Sequence, residues 1–132
     1  MEEFRSEERE PPRHKLLVVD DEPKICHTLS GYFEDHGYEV RTVLRGEEAF
    51  ALLDVFQPDV VLLDILMPGM DGVSVLKQFK QRCPATKIIM LTAVNHDEVV
   101  KGALKLGADF YVTKPVNFSN LQHLVSGFLP SR

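Results

Sequence analysis

The sequence predicts an α/β protein with a doubly wound parallel sheet of five strands in the order 2-1-3-4-5. Four short runs, such as LLVV before Asp20 and VVLL before Asp64, are apolar and rich in β-branched residues. Such runs are typical of parallel strands that helices cover on both faces. A fifth run alternates Tyr38, Val40 and Thr42 with charged residues, which indicates a half-exposed edge strand. With right-handed crossovers, the doubly wound order is the simplest arrangement that has this edge.

The individual elements follow from hydrophobic periodicity and from residues suited to helix ends. The apolar and alternating runs predict strands at Lys15–Val19, 38–43, 59–63, 87–91 and Phe110–Thr113. Apolar residues at helical spacing predict helices at about 23–36, Gly46–Phe56, Gly72–Arg82, 97–106 and 118–128. Pro23 suits the first turn of a helix, whereas Gly37 and Gly107 suit helix ends.

The length of the chain predicts a single folded domain. The 132 residues are 44% hydrophobic and 27% charged, which is ordinary for a globular protein with one core. Residues 1–14 are charged and poor in apolar side chains, so we expect a disordered tail there. Residues 15–129 are predicted to form the domain, and residues 130–132 a short C-terminal tail.

Composition and charge limit the class of protein. The net charge of −5 argues against direct nucleic-acid binding, which is expected to use a basic face. No stretch approaches the ~20 apolar residues that span a bilayer, and the N-terminus lacks the apolar region of a secretory signal. The two cysteines have no CxxC spacing and are too few for a disulfide framework. We therefore expect a cytoplasmic protein with reduced thiols and no membrane partner.

Polar residues able to handle a phosphoryl group follow four of the predicted strands. Asp20 and Asp21 follow the first strand, Asp64 the third, Thr92 the fourth and Lys114 the fifth. The first and third strands are neighbours in the predicted order, so their carboxylates should meet where open sheets bind ligands. Alone, each residue has a simpler explanation, such as a helix cap, a turn or a solvated lysine. Together they favour Mg²⁺ binding and a nucleophilic carboxylate at Asp64.

The motifs around these residues form a specific combination. They read DDEP at 20–23, LLD at 62–64, MPGMDG at 67–72, LTA at 91–93 and KP at 114–115. On these motifs the chain resembles the receiver domain of two-component response regulators, from about Lys15 to Phe128. The resemblance implies a flavodoxin-like (βα)5 fold and a phosphorylated signalling protein that modifies only itself, not an enzyme with a separate substrate. It implies a phosphoryl donor that is a sensor histidine kinase or a phosphotransfer protein.

The resemblance also implies roles for individual residues. It implies a phosphoacceptor at Asp64 and a Mg²⁺ site formed by Asp20, Asp21, Asp64 and the backbone carbonyl of Leu66. Thr92 and Lys114 are implied to sense the phosphoryl group, and Tyr111 to turn inward when Thr92 moves. From the residues alone, Tyr111 is equally well explained as a cover for the edge of the core.

Two apolar residues predict a long-lived phosphoryl group. Leu66 lies two residues past Asp64, and Val94 lies two residues past Thr92. Bulky apolar side chains at these positions should limit the approach of water to an acyl phosphate. We expect Leu66→Asn to shorten the phosphoryl lifetime, measured as loss of the labelled form after the donor is removed. An unchanged or longer lifetime would contradict this explanation.

The resemblance further implies a partner surface made by helix 4, strand 5 and helix 5. An output domain or a separate protein would bind there, and a phosphorylation-dependent homodimer is compatible with the same face. The last predicted helix has no arginine, so the charged dimer ladder of some DNA-binding regulators is not evident. Because the chain ends at LPSR, we expect either a stand-alone receiver or one that belongs to a longer regulator or hybrid kinase.

Three other functions fit parts of the pattern. A metal-dependent phosphatase with an aspartyl-phosphate would need a DxD motif after the first strand, where this chain has Asp20, Asp21 and Glu22. A flavin-binding protein shares the predicted fold, but these acidic residues would repel the phosphate that the first loop should bind. An unphosphorylated interaction module is the third alternative.

Overall fold

The computed structural model describes residues 13–67, 70–93 and 97–129, which form one parallel sheet with helices on both faces. The strands are β1 (Lys15–Val19), β2 (Glu39–Val43), β3 (Val60–Asp64), β4 (Lys87–Thr92) and β5 (Phe110–Thr113). They are parallel and lie in the order β2-β1-β3-β4-β5, which confirms the predicted topology. Two strands of two residues each, Leu66–Met67 and Met70–Asp71, pair antiparallel after β3 and were not predicted.

In the described residues, five helices alternate with the strands of the sheet. They are α1 (Pro23–Asp35), α2 (Gly46–Phe56), α3 (Gly72–Arg82), α4 (Asp97–Lys105) and α5 (Phe118–Gly127). Pro23 is the first residue of α1, and Gly37 and Gly107 have positive φ angles of 89° and 110° just past helix ends. Within the described ranges, no helix combines the length and the apolar character needed to cross a membrane.

The sheet separates two apolar layers. Leu17, Val19, Val61 and Leu63 point to the side of α2 and α3, whereas their strand neighbours point to the side of α1 and α5. All these strand side chains are fully buried. Burying each aliphatic side chain contributes about 1.5–3 kcal/mol, so the two layers hold the strand ends in fixed positions.

The second strand is the predicted edge of the sheet, but its inward face is shorter than predicted. Tyr38 and Val40 are buried, whereas Thr42, which we also expected on the inner face, is exposed. The prediction for Thr42 was wrong because an edge strand has a neighbour on one side only, and its far end remains accessible to solvent. At the near end, the backbone N–H of Glu39 donates to the carbonyl of His14, so the folded part begins before β1.

Two strands are longer at their carboxyl ends than the apolar runs indicated. The strand β3 includes Asp64, which was expected in the loop that follows, and β4 includes Thr92, one residue past its apolar run. Asp64 lies opposite Leu91, and Thr92 lies opposite Thr113 of β5. These two polar residues are therefore held by the hydrogen bonding of the sheet and not by flexible loops.

Candidate phosphoryl and metal site

Three carboxylates meet at the carboxyl ends of β1 and β3. Val19 of β1 lies opposite Leu63 of β3. Asp20 and Asp64 are the next residues of the two chain segments, so they lie side by side at the same end of the sheet. One carboxylate oxygen from each of Asp20, Asp21 and Asp64 lies within 4.8 Å of the others. Asp20 is fully buried, Asp64 is 5% exposed, and Asp21 is half-buried. The predicted convergence of these residues is what the structure shows.

Lys114 is directed into this acidic cluster. Its Nζ lies 3.0 Å from Asp20 Oδ2 and 3.2 Å from Asp64 Oδ2. The backbone N–H of Lys114 donates to the carbonyl of Thr92 at 2.7 Å, which ties the lysine to the end of β4. The peptide bond to Pro115 is cis. The lysine is therefore placed between the proposed acceptor and a proposed metal ligand.

The surroundings keep the Lys114 ammonium charged. Burial alone would lower the pKa of Lys114, because it penalises the charged form. The close contact with the Asp20 carboxylate and the negative charges of Asp64 and Asp20 outweigh burial, and the pKa of Lys114 is raised above its ordinary value. The site therefore contains a permanent positive charge at physiological pH.

The oxygen atoms of Asp20 fit a hard cation. The backbone N–H of Glu22 donates to Asp20 Oδ1 at 2.9 Å. The other oxygen, Oδ2, is buried near Lys114 but receives no well-directed hydrogen bond from the described part of the chain. The ammonium of Lys114 offsets part of the cost of burying this oxygen, and a bound cation would offset more of it. Three carboxylates around one lysine leave a net negative cluster that suits Mg²⁺.

The remaining predicted ligand is a backbone atom. Leu66 begins the first of the two short strands, two residues past Asp64. One residue separates it from Asp64, and its role as a metal ligand stays a prediction. Val94 lies outside the described residues, so its proposed effect on water access also stays a prediction.

The two predicted switch residues are in different environments. Thr92 is 2% exposed, and its Oγ1 donates to the carbonyl of Ala93 at 3.2 Å. Tyr111 is 39% exposed, and its ring stacks against that of Phe110 at 5.8 Å between centroids. It lines an open groove of about 390 Å³ together with residues of β5 and α5. The ring is therefore partly accessible to solvent at the edge strand β5, and both its switch role and the alternative that it covers the core edge stay predictions.

Two residues near the site were not identified from the sequence. Glu22 Oε1 lies 3.2 Å from Lys114 Nζ. The sequence feature that could have indicated this contact is the run of three acidic residues, DDE, at 20–22. Cys26 is buried one helical turn further on, and its Sγ donates to the backbone carbonyl of Asp20 at 3.3 Å. Burial, and then the charge of Asp20, raises the pKa of Cys26 from 9.0 to about 11.

The pKa of Cys26 predicts a loss of stability in alkaline solution. The folded state holds the thiol proton more tightly than the unfolded state, so this contribution is complete below about pH 9 and is lost as pH rises to about 11. The ¹³Cβ chemical shift of Cys26 should titrate with a midpoint near pH 11. The difference in unfolding free energy between wild type and Cys26→Ala should shrink across the same window. A midpoint near pH 9 would contradict the role of burial.

Comparison with known proteins identifies the family. The sequence matches the response regulator receiver domain over residues 16–126. It is 43% identical over 101 residues to the alkaline phosphatase synthesis transcriptional regulatory protein PhoP of Bacillus subtilis, a match that covers 76% of this chain and 42% of that protein. It is 38% identical over 112 residues to the regulatory protein AtoC of Escherichia coli, covering 85% of this chain and 24% of AtoC. The chain thus spans less than half the length of these two relatives.

Solved structures agree with this assignment. A CheY-like response regulator receiver domain protein from Methanospirillum hungatei superposes with a TM-score of 0.84 at 30% identity, over 88% of this chain and 93% of that chain. The receiver domain of NtrX from Brucella abortus gives a TM-score of 0.82 at 29% identity, over 89% and 99% of the two chains. The sequence match, the sheet order and the acidic cluster agree, and the chain belongs to the response regulator receiver domain family.

Proposed function

We propose that this receiver domain is a phosphorylation-activated switch in which Asp64 accepts a phosphoryl group. The donor is a phosphohistidine on a sensor histidine kinase or on a phosphotransfer protein. One observation carries the proposal: Lys114 Nζ lies within 3.2 Å of oxygens of both Asp64 and Asp20, beside a third carboxylate from Asp21. Such a site offers a nucleophile, metal ligands and a positive charge at one point.

The transfer uses Asp64 as the nucleophile. One of its carboxylate oxygens attacks phosphorus in line with the leaving nitrogen, so that an O–P bond forms as the P–N bond breaks. The imidazole leaves with the electron pair of that bond. When bound by Asp20, Asp21, Asp64 and the Leu66 carbonyl, Mg²⁺ supplies neutralisation of charge on the phosphoryl oxygens. We propose a phosphoprotein that catalyses only its own phosphorylation and dephosphorylation, and not an enzyme with a separate substrate.

Burial and rigidity support this role for Asp64. The side chain is almost completely removed from solvent, and its backbone belongs to β3. A partly desolvated carboxylate on a rigid strand is a better nucleophile than one on a mobile loop, because it loses little hydration and little freedom at the moment of attack. Lys114 already lies against its Oδ2 and can donate to a phosphoryl oxygen after transfer.

The output surface is proposed to be the face of α4, β5 and α5. Four large apolar side chains on α4, on β5 and between them are 38–45% exposed: Leu104, Leu106, Phe110 and Tyr111. Exposed apolar side chains on neighbouring elements support the docking of a protein partner, an output domain or a second copy. We propose that movement of Thr92 towards a phosphoryl group draws Tyr111 inward and changes this face.

The cysteines and the net charge support a cytoplasmic location and a role without direct nucleic-acid contact. Both cysteines are free thiols, Cys26 buried and Cys83 partly buried. Free thiols are typical of a reducing compartment. The chain carries a net charge of −5, which disfavours contact with a phosphate backbone. Relatives described as transcriptional regulators are longer than this chain, so DNA binding by a linked domain would be a separate property.

Incubation with acetyl phosphate and Mg²⁺, followed by intact-mass measurement, tests the proposal. We expect one phosphoryl adduct per chain that is acid-stable, base-labile and dependent on Mg²⁺. Asp64→Asn should abolish it, whereas Asp54→Asn, an exposed aspartate of α2 with the same change of charge, should leave it intact. Rapid multiple turnover of phosphate esters would instead support a phosphatase. No adduct at all would support an unphosphorylated interaction module.

A further inference from the structure

Glu22 is a third carboxylate partner of Lys114 and has no part in the transfer described above. Its Oε1 lies 3.2 Å from Lys114 Nζ, the same distance as the oxygen of Asp64. Glu22 occupies the N-cap position of α1, but its side chain makes no capping hydrogen bond. The carboxylate therefore contacts the lysine and not the backbone of the helix it precedes.

Exposure distinguishes Glu22 from the other partners of Lys114. The side chains of Asp20 and Asp64 are 0% and 7% exposed, whereas that of Glu22 is 58% exposed. The ammonium thus connects two buried carboxylates with one at the solvent opening of the site. An incoming phosphoryl group needs a hydrogen bond from this same ammonium, so it competes with Glu22.

Glu22 also changes the charge at the opening of the site. With Asp20, Asp21 and Asp64, it makes four carboxylates at this end of the sheet, three of which contact Lys114. Lys114 and one divalent cation neutralise three of these charges. A site with the cation bound therefore keeps one negative charge, and Glu22 is its most exposed carboxylate. A small anionic donor approaching from solvent meets this charge first.

We propose that Glu22 is a positioning residue for Lys114 that limits the phosphorylation of Asp64 by small anionic phosphodonors. The inference rests on the proposed acceptance of a phosphoryl group by Asp64. Glu22 holds the ammonium at the opening of the site and releases it when a donor is held in line. A protein donor can offset the negative charge with its own basic groups, whereas acetyl phosphate cannot.

The rate of labelling by acetyl phosphate at saturating Mg²⁺ tests this directly on the full chain. Glu22→Gln keeps the side-chain length and removes the charge, and the missing cap bond means that α1 loses no side-chain contact. We expect a rate increase of about two- to fivefold at low ionic strength that shrinks as salt is added, since exposed ion pairs are weak and screened. Glu22→Asp keeps the charge and should label no faster than wild type. Glu34→Gln makes the same change of charge on an exposed part of α1 and should label at the wild-type rate.

A second measurement needs neither Mg²⁺ nor a phosphoryl group. In ¹⁵N-labelled protein, the ammonium signal of Lys114 should exchange faster with water in Glu22→Gln than in wild type, and Glu34→Gln should leave it unchanged. Labelling of Glu22→Gln at the wild-type rate, or an unchanged Lys114 signal, would overturn the inference. A wild-type protein that forms no adduct would refute the proposed function, whereas an adduct with no effect of Glu22→Gln refutes this inference alone.

Discussion

Replacing Lys114 with methionine is expected to lower the free energy of unfolding by about 2–3 kcal/mol in Mg²⁺-free buffer at neutral pH. Lys114 Nζ lies within 3.2 Å of Asp20 and Asp64, whose side chains are nearly inaccessible to solvent. Without the ammonium, two buried carboxylates face each other with no positive charge between them. The estimate is below the full cost of breaking a buried pair because Lys114 itself is 19% exposed. Chemical denaturation measures the change.

The pH dependence of this effect follows from the raised pKa of Lys114. The lysine holds its proton more tightly when folded, so its contribution is complete below its ordinary pKa of 10.5 and is lost as pH rises through the raised value. The difference between wild type and Lys114→Met should therefore be constant from neutral pH to about pH 10 and shrink above it. Added Mg²⁺ should stabilise the variant more than wild type, because the cation replaces the missing positive charge.

Lys101→Met provides the matched control for the loss of a lysine. Lys101 lies 3.8 Å from Glu98 on α4, and both side chains are largely exposed. Such surface pairs contribute about 0–1 kcal/mol, so stability should be nearly unchanged. Equal effects of Lys114→Met and Lys101→Met would show that Lys114 does not balance the charges of the site.

Replacing Gly72 with alanine is expected to destabilise the protein by about 3 kcal/mol and to weaken Mg²⁺ binding. A Cβ atom on Gly72 would clash with the carbonyl oxygen of Ile65 and lie 2.8 Å from two further backbone atoms of that residue. Because backbone atoms cannot rotate away as a side chain does, α3 or the segment after Asp64 must move. That segment carries Leu66, so the movement should displace the carbonyl that we propose as a ligand of Mg²⁺. Thermal unfolding and Mg²⁺ calorimetry measure the two effects.

Gly31→Ala separates this clash from the general effect of removing a glycine. Gly31 is in α1, and a Cβ atom there would have no neighbour within 4 Å. Alanine favours a helix by about 1 kcal/mol relative to glycine, so this variant should be more stable than wild type. A stable Gly72→Ala protein with unchanged Mg²⁺ affinity would refute the close approach to Ile65.

The strands and their order were accessible to sequence reasoning because burial on both faces makes a distinctive pattern. Apolar runs gave the positions of β1, β3 and β4, and the alternating run gave the edge strand. Once the first and third strands are neighbours, Asp20 and Asp64 must meet at one edge of the sheet. The convergence of acidic residues is thus a consequence of topology and not of details of side-chain packing.

Other features depend on contacts in space that hydrophobic periodicity does not predict. The contact between Glu22 and Lys114 joins residues that are 92 positions apart, and it depends on how far two flexible side chains reach. The strands of two residues after Asp64 are too short to show alternation. Gly72 is part of the MPGMDG motif, but only the fold shows which backbone atoms it allows to come close. The positions of functional residues were therefore predictable where the sheet fixes them. They were not predictable where they depend on the reach of side chains or on the course of loops.

The most direct test of the account is a calorimetric titration of the unphosphorylated protein with Mg²⁺. We expect uptake of one ion per chain, at least about tenfold weaker binding in Asp20→Asn, and unchanged binding in Asp54→Asn. This result would show that carboxylates from β1 and β3 form one cation site beside Lys114. Absence of heat in the wild type, or equal affinity in Asp20→Asn, would contradict the existence of that site.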